Sequence, residues 1–218
     1  MPSKDEFNQS YINAKRDQAR HGQKGALHLP SKKDRIPPGQ FVSQKLVAMP
    51  PIREKYPHIE KKEWKLRAYG EVKKEKTWNW DEFLRLPQKN YKIDFHCVTS
   101  WSKLDQEFTG IDFFDIIGAV FPKPAALYVI FECYDGYTTN LQLQELKENI
   151  AFVAVKMDGR DIEDKFGGPV RVVIPHLYAW KSAKFLKAIR FQEQDEPGFW
   201  ETRGYNNHGD PWQEERYS

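Results

Sequence analysis

The spacing of apolar residues along the chain changes several times, and each change marks a short strand or a short helix. Across residues 63–72, Trp64, Leu66, Ala68 and Gly70 alternate with charged neighbours, the two-residue period of a strand with one buried face. Trp80-Asp81-Glu82-Phe83-Leu84 suits a short helix stopped by Pro87. Residues 91–101 read as a strand with an unusually polar end, and residues 110–120 as an apolar helix ahead of Pro122. The continuous apolar run 126–133 is expected as a buried strand. A short helix is expected over 139–148 and strands over 150–157 and 170–174, with Asp158-Gly159 a turn, while residues 185–192 suit either a strand or a helix, with a strand preferred. No unit repeats at a fixed period. Short strands joined irregularly predict an α+β domain with mixed β-sheets and short helices rather than a doubly wound sheet.

Residues 1–40 break this pattern, being rich in Lys, Arg, Asp, Gln and Gly and sparse in apolar positions. Residues 5–20 suit a short polar helix with no full apolar face, and Arg35-Ile36-Pro37-Pro38-Gly39-Gln40 closes the segment with turn residues. The expected organisation is a mobile arm over 1–40 and one domain over 41–218. Aromatic residues form 14% of the 218, including 7 Trp and 10 Tyr, which excludes disorder and supplies a large core or an aromatic-lined pocket. Charges nearly cancel at +3, so nothing points to nucleic acid or a membrane surface as partner. The start lacks an apolar signal region, and no run approaches the roughly 18 apolar residues of a spanning helix. The expected compartment is cytoplasmic, with the 2 Cys as thiols.

Two stretches look built for chemistry. Phe95-His96-Cys97-Val98-Thr99-Ser100-Trp101-Ser102 delivers one Cys from an apolar strand into a polar loop. Zinc would ask for more Cys or His at short spacing, and none follow. A single thiolate suits a metal held mainly by a cofactor, while a core thiol is the plain alternative. The second stretch runs from Gly167-Gly168-Pro169-Val170-Arg171 to Trp180-Lys181-Ser182-Ala183-Lys184. Arg171 within β-branched residues is costly unless paired, and Lys181, Ser182 and Lys184 could grip a phosphate beside it. The P-loop spacing is missing, and outward-facing surface charges are the other reading. Tyr134-Asp135-Gly136-Tyr137 is a turn after the buried strand, where pockets form. The aromatic tail 197–212 is expected to wrap back over the domain.

In order, these motifs resemble the molybdopterin-binding domain of the sulfite-oxidase family, most of all its small stand-alone bacterial members, over residues 40–218. The carriers are the Cys97 stretch, Asp135-Gly136-Tyr137-Thr138-Thr139-Asn140-Leu141, the Arg171 and Lys184 stretches, and Pro197-Gly198-Phe199-Trp200-Glu201. The resemblance implies the sulfite-oxidase-type fold and a molybdenum–molybdopterin cofactor with Cys97 as metal ligand. It implies Arg171, Lys181, Ser182, Ala183 and Lys184 as cofactor-binding residues, joined by His96 and Cys133, and Tyr137 at the substrate pocket. The implied activity is two-electron oxygen-atom transfer on a small sulfur- or nitrogen-containing oxo substrate, with an electron-transfer partner. Phe166 stands where relatives often carry His or Asn, and Trp101 and Ser102 replace the Arg residues with which true sulfite oxidases hold their anion. Leu46-Val47-Ala48-Met49-Pro50-Pro51 replaces the Asn-rich segment of the periplasmic methionine-sulfoxide reductases. Two other readings stand beside this one: a non-catalytic module that keeps the fold, and a cysteine hydrolase using Cys97 with His176.

Overall fold

A computed structural model describes residues 13–15 and 35–218. The polar helix expected over 5–20 lies outside the described residues except for a helical turn at 13–15. Eleven strands follow: β1 Phe41–Val42, β2 Lys65–Gly70, β3 Lys76–Asn79, β4 Gln88–Cys97, β5 Trp101–Asp112, β6 Tyr128–Cys133, β7 Thr138–Gln142, β8 Phe152–Met157, β9 Arg160–Asp161, β10 Arg171–Val173 and β11 Leu186–Gln192. Between them lie the short helices α1 Trp80–Leu84, α2 Phe113–Val120 and α3 Leu143–Glu148. Among the described residues, no helix is long and apolar enough to cross a membrane.

The strands form two mixed sheets. One runs β1-β5-β8-β10, with β4 also on β5 and β9 on β8; the other runs β3-β2-β11-β6-β7. Parallel pairing occurs only at β1–β5 and β2–β11 among these named pairs. The alternation in β2 has the expected result: Leu66 and Ala68 are fully buried while Lys65 and Arg67 are exposed. Burying a large apolar side chain such as Phe131, Phe191 or Trp64, all fully enclosed, contributes about 1.5–3 kcal/mol. The helix α1 starts where Asn79 Oδ1 accepts from the Glu82 amide and Glu82 Oε2 accepts from the Asn79 amide, a reciprocal capping box.

Three expectations change at element boundaries. Residues 139–148 open as a strand, because Thr138, Thr139 and Asn140 pair with β6 across the Asp135-Gly136 turn before α3 begins. Residues 110–112 finish β5, and Asp112 Oδ1 then caps α2 through the Phe114 amide. Residues 91–101 are not one strand, since the chain reverses at Val98-Thr99-Ser100 and β5 returns alongside β4. Packing also reaches ahead of the expected boundary at residue 40. Arg35 pairs with Asp94 and Asp105, and Gln40 is buried.

Candidate active site

Cys97 is the last residue of β4, directly opposite Trp101 in β5, so a three-residue loop carries the chain round. Ser100 takes the left-handed conformation (φ 68°) that such loops need at their third position, and its amide donates to the Cys97 carbonyl at 3.1 Å. The Cys97 thiol lies 3.2 Å from Thr99 Oγ1. Behind it runs a buried chain. Ser102 Oγ gives its proton to Gln40 Oε1 (2.6 Å), so the contact from His96 Nδ1 to Ser102 Oγ (2.8 Å) places a proton on Nδ1. Gln40 Nε2 then donates to the Cys97 carbonyl at 3.2 Å. Burial pushes the His96 pKa down to about 4, which keeps the imidazole neutral in this chain of hydrogen bonds. From the C-terminus, Arg216 donates to the Val98 carbonyl and to Ser100 Oγ. The loop is therefore held from both ends of the sequence.

Cys97 opens on a cavity of about 130 Å³ whose wall also carries Tyr137, Arg171, Ser182 and Lys184. Arg171 is 3% exposed, and its guanidinium donates to the Phe166, Val172 and Ser182 carbonyls over the face of Phe95. Lys184 Nζ donates to the Lys165 carbonyl at 3.1 Å and the Met49 carbonyl at 3.4 Å, while part of its surface stays open to the cavity. Among the described residues, neither cation has a carboxylate within ion-pair distance. Burial lowers the Arg171 pKa to about 10, and burial with nearby Arg171 lowers that of Lys184 to about 7. Two desolvated cations side by side make the cavity receptive to an anion. Ser182 Oγ accepts from the Ile174 amide, which leaves its own proton available. The glycine run explains how Lys184 fits: Gly167 has φ 101°, and a Cβ there would lie 2.7 Å from Lys184 Cβ and Cγ. A side chain at position 167 would push Lys184 aside.

Comparison with known proteins follows the same segments. Residues 53–200 match the family model described as the oxidoreductase molybdopterin binding domain. The chain belongs to that family. It is similar to the uncharacterized oxidoreductase YuiH of Bacillus subtilis, 36% identical over 184 residues, which are 84% of this chain and 92% of that one. The catalytic subunit MsrP of a protein-methionine-sulfoxide reductase from Burkholderia mallei is 27% identical over 67% of this chain, and the chain spans about half (49%) of its length. Among solved structures, the sulfane dehydrogenase SoxCD from Paracoccus pantotrophus superposes with a TM-score of 0.59 at 13% identity, covering 65% of this chain and 41% of that one. The fold is thus the sulfite-oxidase-type molybdopterin-binding fold, and the chain is an oxidoreductase of that family.

Five of the residues singled out from sequence meet on the cavity wall: Cys97, Tyr137, Arg171, Ser182 and Lys184. Four do not. Lys181 is fully enclosed, with Nζ 2.6 Å from Glu201 Oε1 and 2.9 Å from the Asn140 carbonyl, so it ties the C-terminal tail to β7. Ala183 is buried, its carbonyl accepting from the Val172 amide. Cys133 ends β6 with its thiol pKa raised by burial, and His96 serves the Ser102–Gln40 chain. Tyr137 Oη is engaged, donating to the Trp180 carbonyl at 2.6 Å. His176 Nε2 is held 3.0 Å from Glu145 Oε2 and does not line the cavity, so the structure brings no imidazole base to Cys97 from that side. Among the described residues no group of three or more His, Cys, Asp or Glu could hold a metal by itself, and a metal at Cys97 would take its other ligands from a cofactor. A thiol beside two anion-seeking cations is a donor set that fits a metal-bearing pterin with a phosphate. Sequence reasoning missed Lys15 and Gln40, which lie in polar stretches without a periodic signal, whereas Asp135, Trp200 and Tyr205 lay in stretches it had quoted but without a role of their own.

Proposed function

We propose that the chain is a molybdenum-cofactor enzyme that carries out two-electron oxygen-atom transfer on a small sulfur- or nitrogen-containing oxo substrate, with Cys97 as thiolate ligand to the metal. The observation that carries this reading is the pairing of Arg171 and Lys184, desolvated and without a carboxylate partner among the described residues, in the cavity on which Cys97 opens. Arg171 and Lys184 hold the phosphate of the pterin, Arg171 as a fixed fork and Lys184 as a point charge, and Ser182 adds its hydroxyl proton. When bound, the cofactor would supply the two-electron redox chemistry of the reaction. The protein's part is orientation and exclusion. The Gln40 and Arg216 contacts fix the Cys97 loop, and Trp180, Trp200 and Tyr205 wall the cavity with apolar surface that limits water. Asp135, its carboxyl pKa raised to about 6 by burial, is placed on the same wall to hold a proton during turnover. A separate electron-transfer partner would return the cofactor to its starting oxidation state. The two unpaired thiols favour a cytoplasmic setting. Protein made in a host that synthesises the cofactor should carry close to one molybdenum per chain together with a pterin. Zinc or no metal in such a preparation would remove this reading.

A further inference from the structure

Four of the six large apolar side chains exposed among the described residues lie around one element, α2. Phe114, Gly118 and Phe121, at helical spacings of four and three, share one face, and both rings are more than half exposed. Ile150 is placed at the N-terminal end of that face, where the Phe113 amide donates to the Ala151 carbonyl. Leu127 follows the turn at the other end, in which the Ala126 amide donates to the Lys123 carbonyl. Two features of this face work against the single chain. Phe121 takes a left-handed backbone (φ 53°), a helix-end position that suits Gly or Asn and strains a bulky aromatic. Gly118 weakens the helix interior relative to Ala, although a Cβ there would meet nothing within 4 Å among the described residues. Together they leave an open gap at Gly118 with an aromatic ring on either side. Charge also divides along the face. Lys73 and Lys74, both exposed, stand at its C-terminal end, their amides donating to the Phe121 and Val120 carbonyls, while Lys123 there is paired with Glu71. At the N-terminal end Lys147 and Glu148 cancel and Asp112 is paired with Lys89, which leaves Asp115.

We infer that α2 is the centre of a two-fold interface with a second copy of this chain. The two helices cross antiparallel at Gly118, where the absence of a side chain lets them approach. Each Phe121 then packs on the partner subunit's Phe114, and Lys73 and Lys74 meet the partner subunit's Asp115. A parallel crossing would instead set the lysines of both copies together. Such a closed interface uses the same patch on both copies. With eight residues, about 12 Å of helix, α2 alone falls short of the roughly 800 Å² per copy that a stable interface buries. Ile150 and Leu127 extend the apolar surface beyond its two ends. Nothing in this interface depends on the function proposed above.

Sedimentation velocity on the full chain over a range of concentrations tests it, with circular dichroism to confirm the fold of each variant. Wild-type protein should sediment at twice the mass of one chain at micromolar concentration. Phe121→Gly suits the left-handed backbone and should keep the fold. It should weaken the dimer about a hundredfold, because each interface loses two rings. Gly118→Lys enters open space in the single chain and should also yield monomer. Lys74→Glu should weaken the dimer several-fold, and adding Asp115→Lys to it should restore association. A monomeric wild type overturns the inference, whatever else covers the face. So does a dimer that Phe121→Gly and Gly118→Lys leave intact, which would place the interface elsewhere. A dimer indifferent to the charge exchange overturns the antiparallel crossing.

Discussion

At the scale of single residues, charge in the cavity behaves unlike charge on the surface. Lys184 has its pKa pulled down to about 7 by burial and by Arg171, so the cofactor-free protein holds this lysine largely neutral above that pH. An anion can use Lys184 only when it is protonated. Sulfate binding to cofactor-free protein should therefore be level below about pH 7 and weaken by up to about tenfold per pH unit above it, because binding must then take up a proton. In Lys184→Met the slope should vanish, and calorimetry at several pH values checks both. A slope that survives the substitution would place the titrating group elsewhere. The sequence made Arg171 and Lys184 visible as a charge among β-branched residues and a donor cluster. It could not tell Lys184 from Lys181, three positions away, since the turn Ala179–Lys181 sends the one to Glu201 and leaves the other facing the cavity.

At the scale of elements, the site depends on two loops whose backbone geometry is set by neighbours remote in sequence. The Gly167-Gly168 stretch ends the short 3-10 turn Asp164–Phe166 and lets Lys184 pass where a Cβ would stand. Gly167→Ala should keep the fold but lower pterin and molybdenum content several-fold, because both the positive φ and the 2.7 Å approach disfavour any side chain there. Metal and pterin assays on the purified variant measure it, and full occupancy would show that Lys184 has room to shift. The strands β2 and β6 were legible from alternation or from a continuous apolar run, while the pattern of β11 suited a strand or a helix and its pairing with β2 and β6 decides it. The strand β5 was not, because Ser102-Lys103-Leu104-Asp105-Gln106-Glu107 is polar, and its place between β4 and β8 comes from hydrogen bonding on both sides. Missing that strand also hid the hairpin, so Cys97 was expected in a loop beyond a strand rather than at a reversal pinned by Gln40 and Arg216.

At the scale of the whole molecule, both ends of the chain are drawn to the site. Lys15 comes from the start, and the tail supplies Trp200, Tyr205 and Arg216. Polar segments give no periodic signal for such docking, which is why Lys15 and Gln40 were invisible while the aromatic tail was not. The tail is anchored by Glu201, whose Oε1 accepts from Lys181, Thr139 and Trp180 in a setting where the Lys181 and Glu201 side chains are at most 1% exposed. Lys181→Met leaves that carboxylate buried without its cation and should cost about 3–5 kcal/mol of stability by denaturant unfolding. Adding Glu201→Gln to the same chain should recover part of the loss. A loss under about 1 kcal/mol in Lys181→Met would mean that the pair is solvated or dispensable.

Whether Cys97 joins a metal to this fold is read at the metal itself. Molybdenum X-ray absorption should be recorded on the wild-type protein and on Cys97→Ser, each loaded in a cofactor-producing host. Molybdenum is expected in the wild type, with one sulfur neighbour fewer in the variant. An unchanged sulfur count, or a wild-type protein without molybdenum, would contradict it.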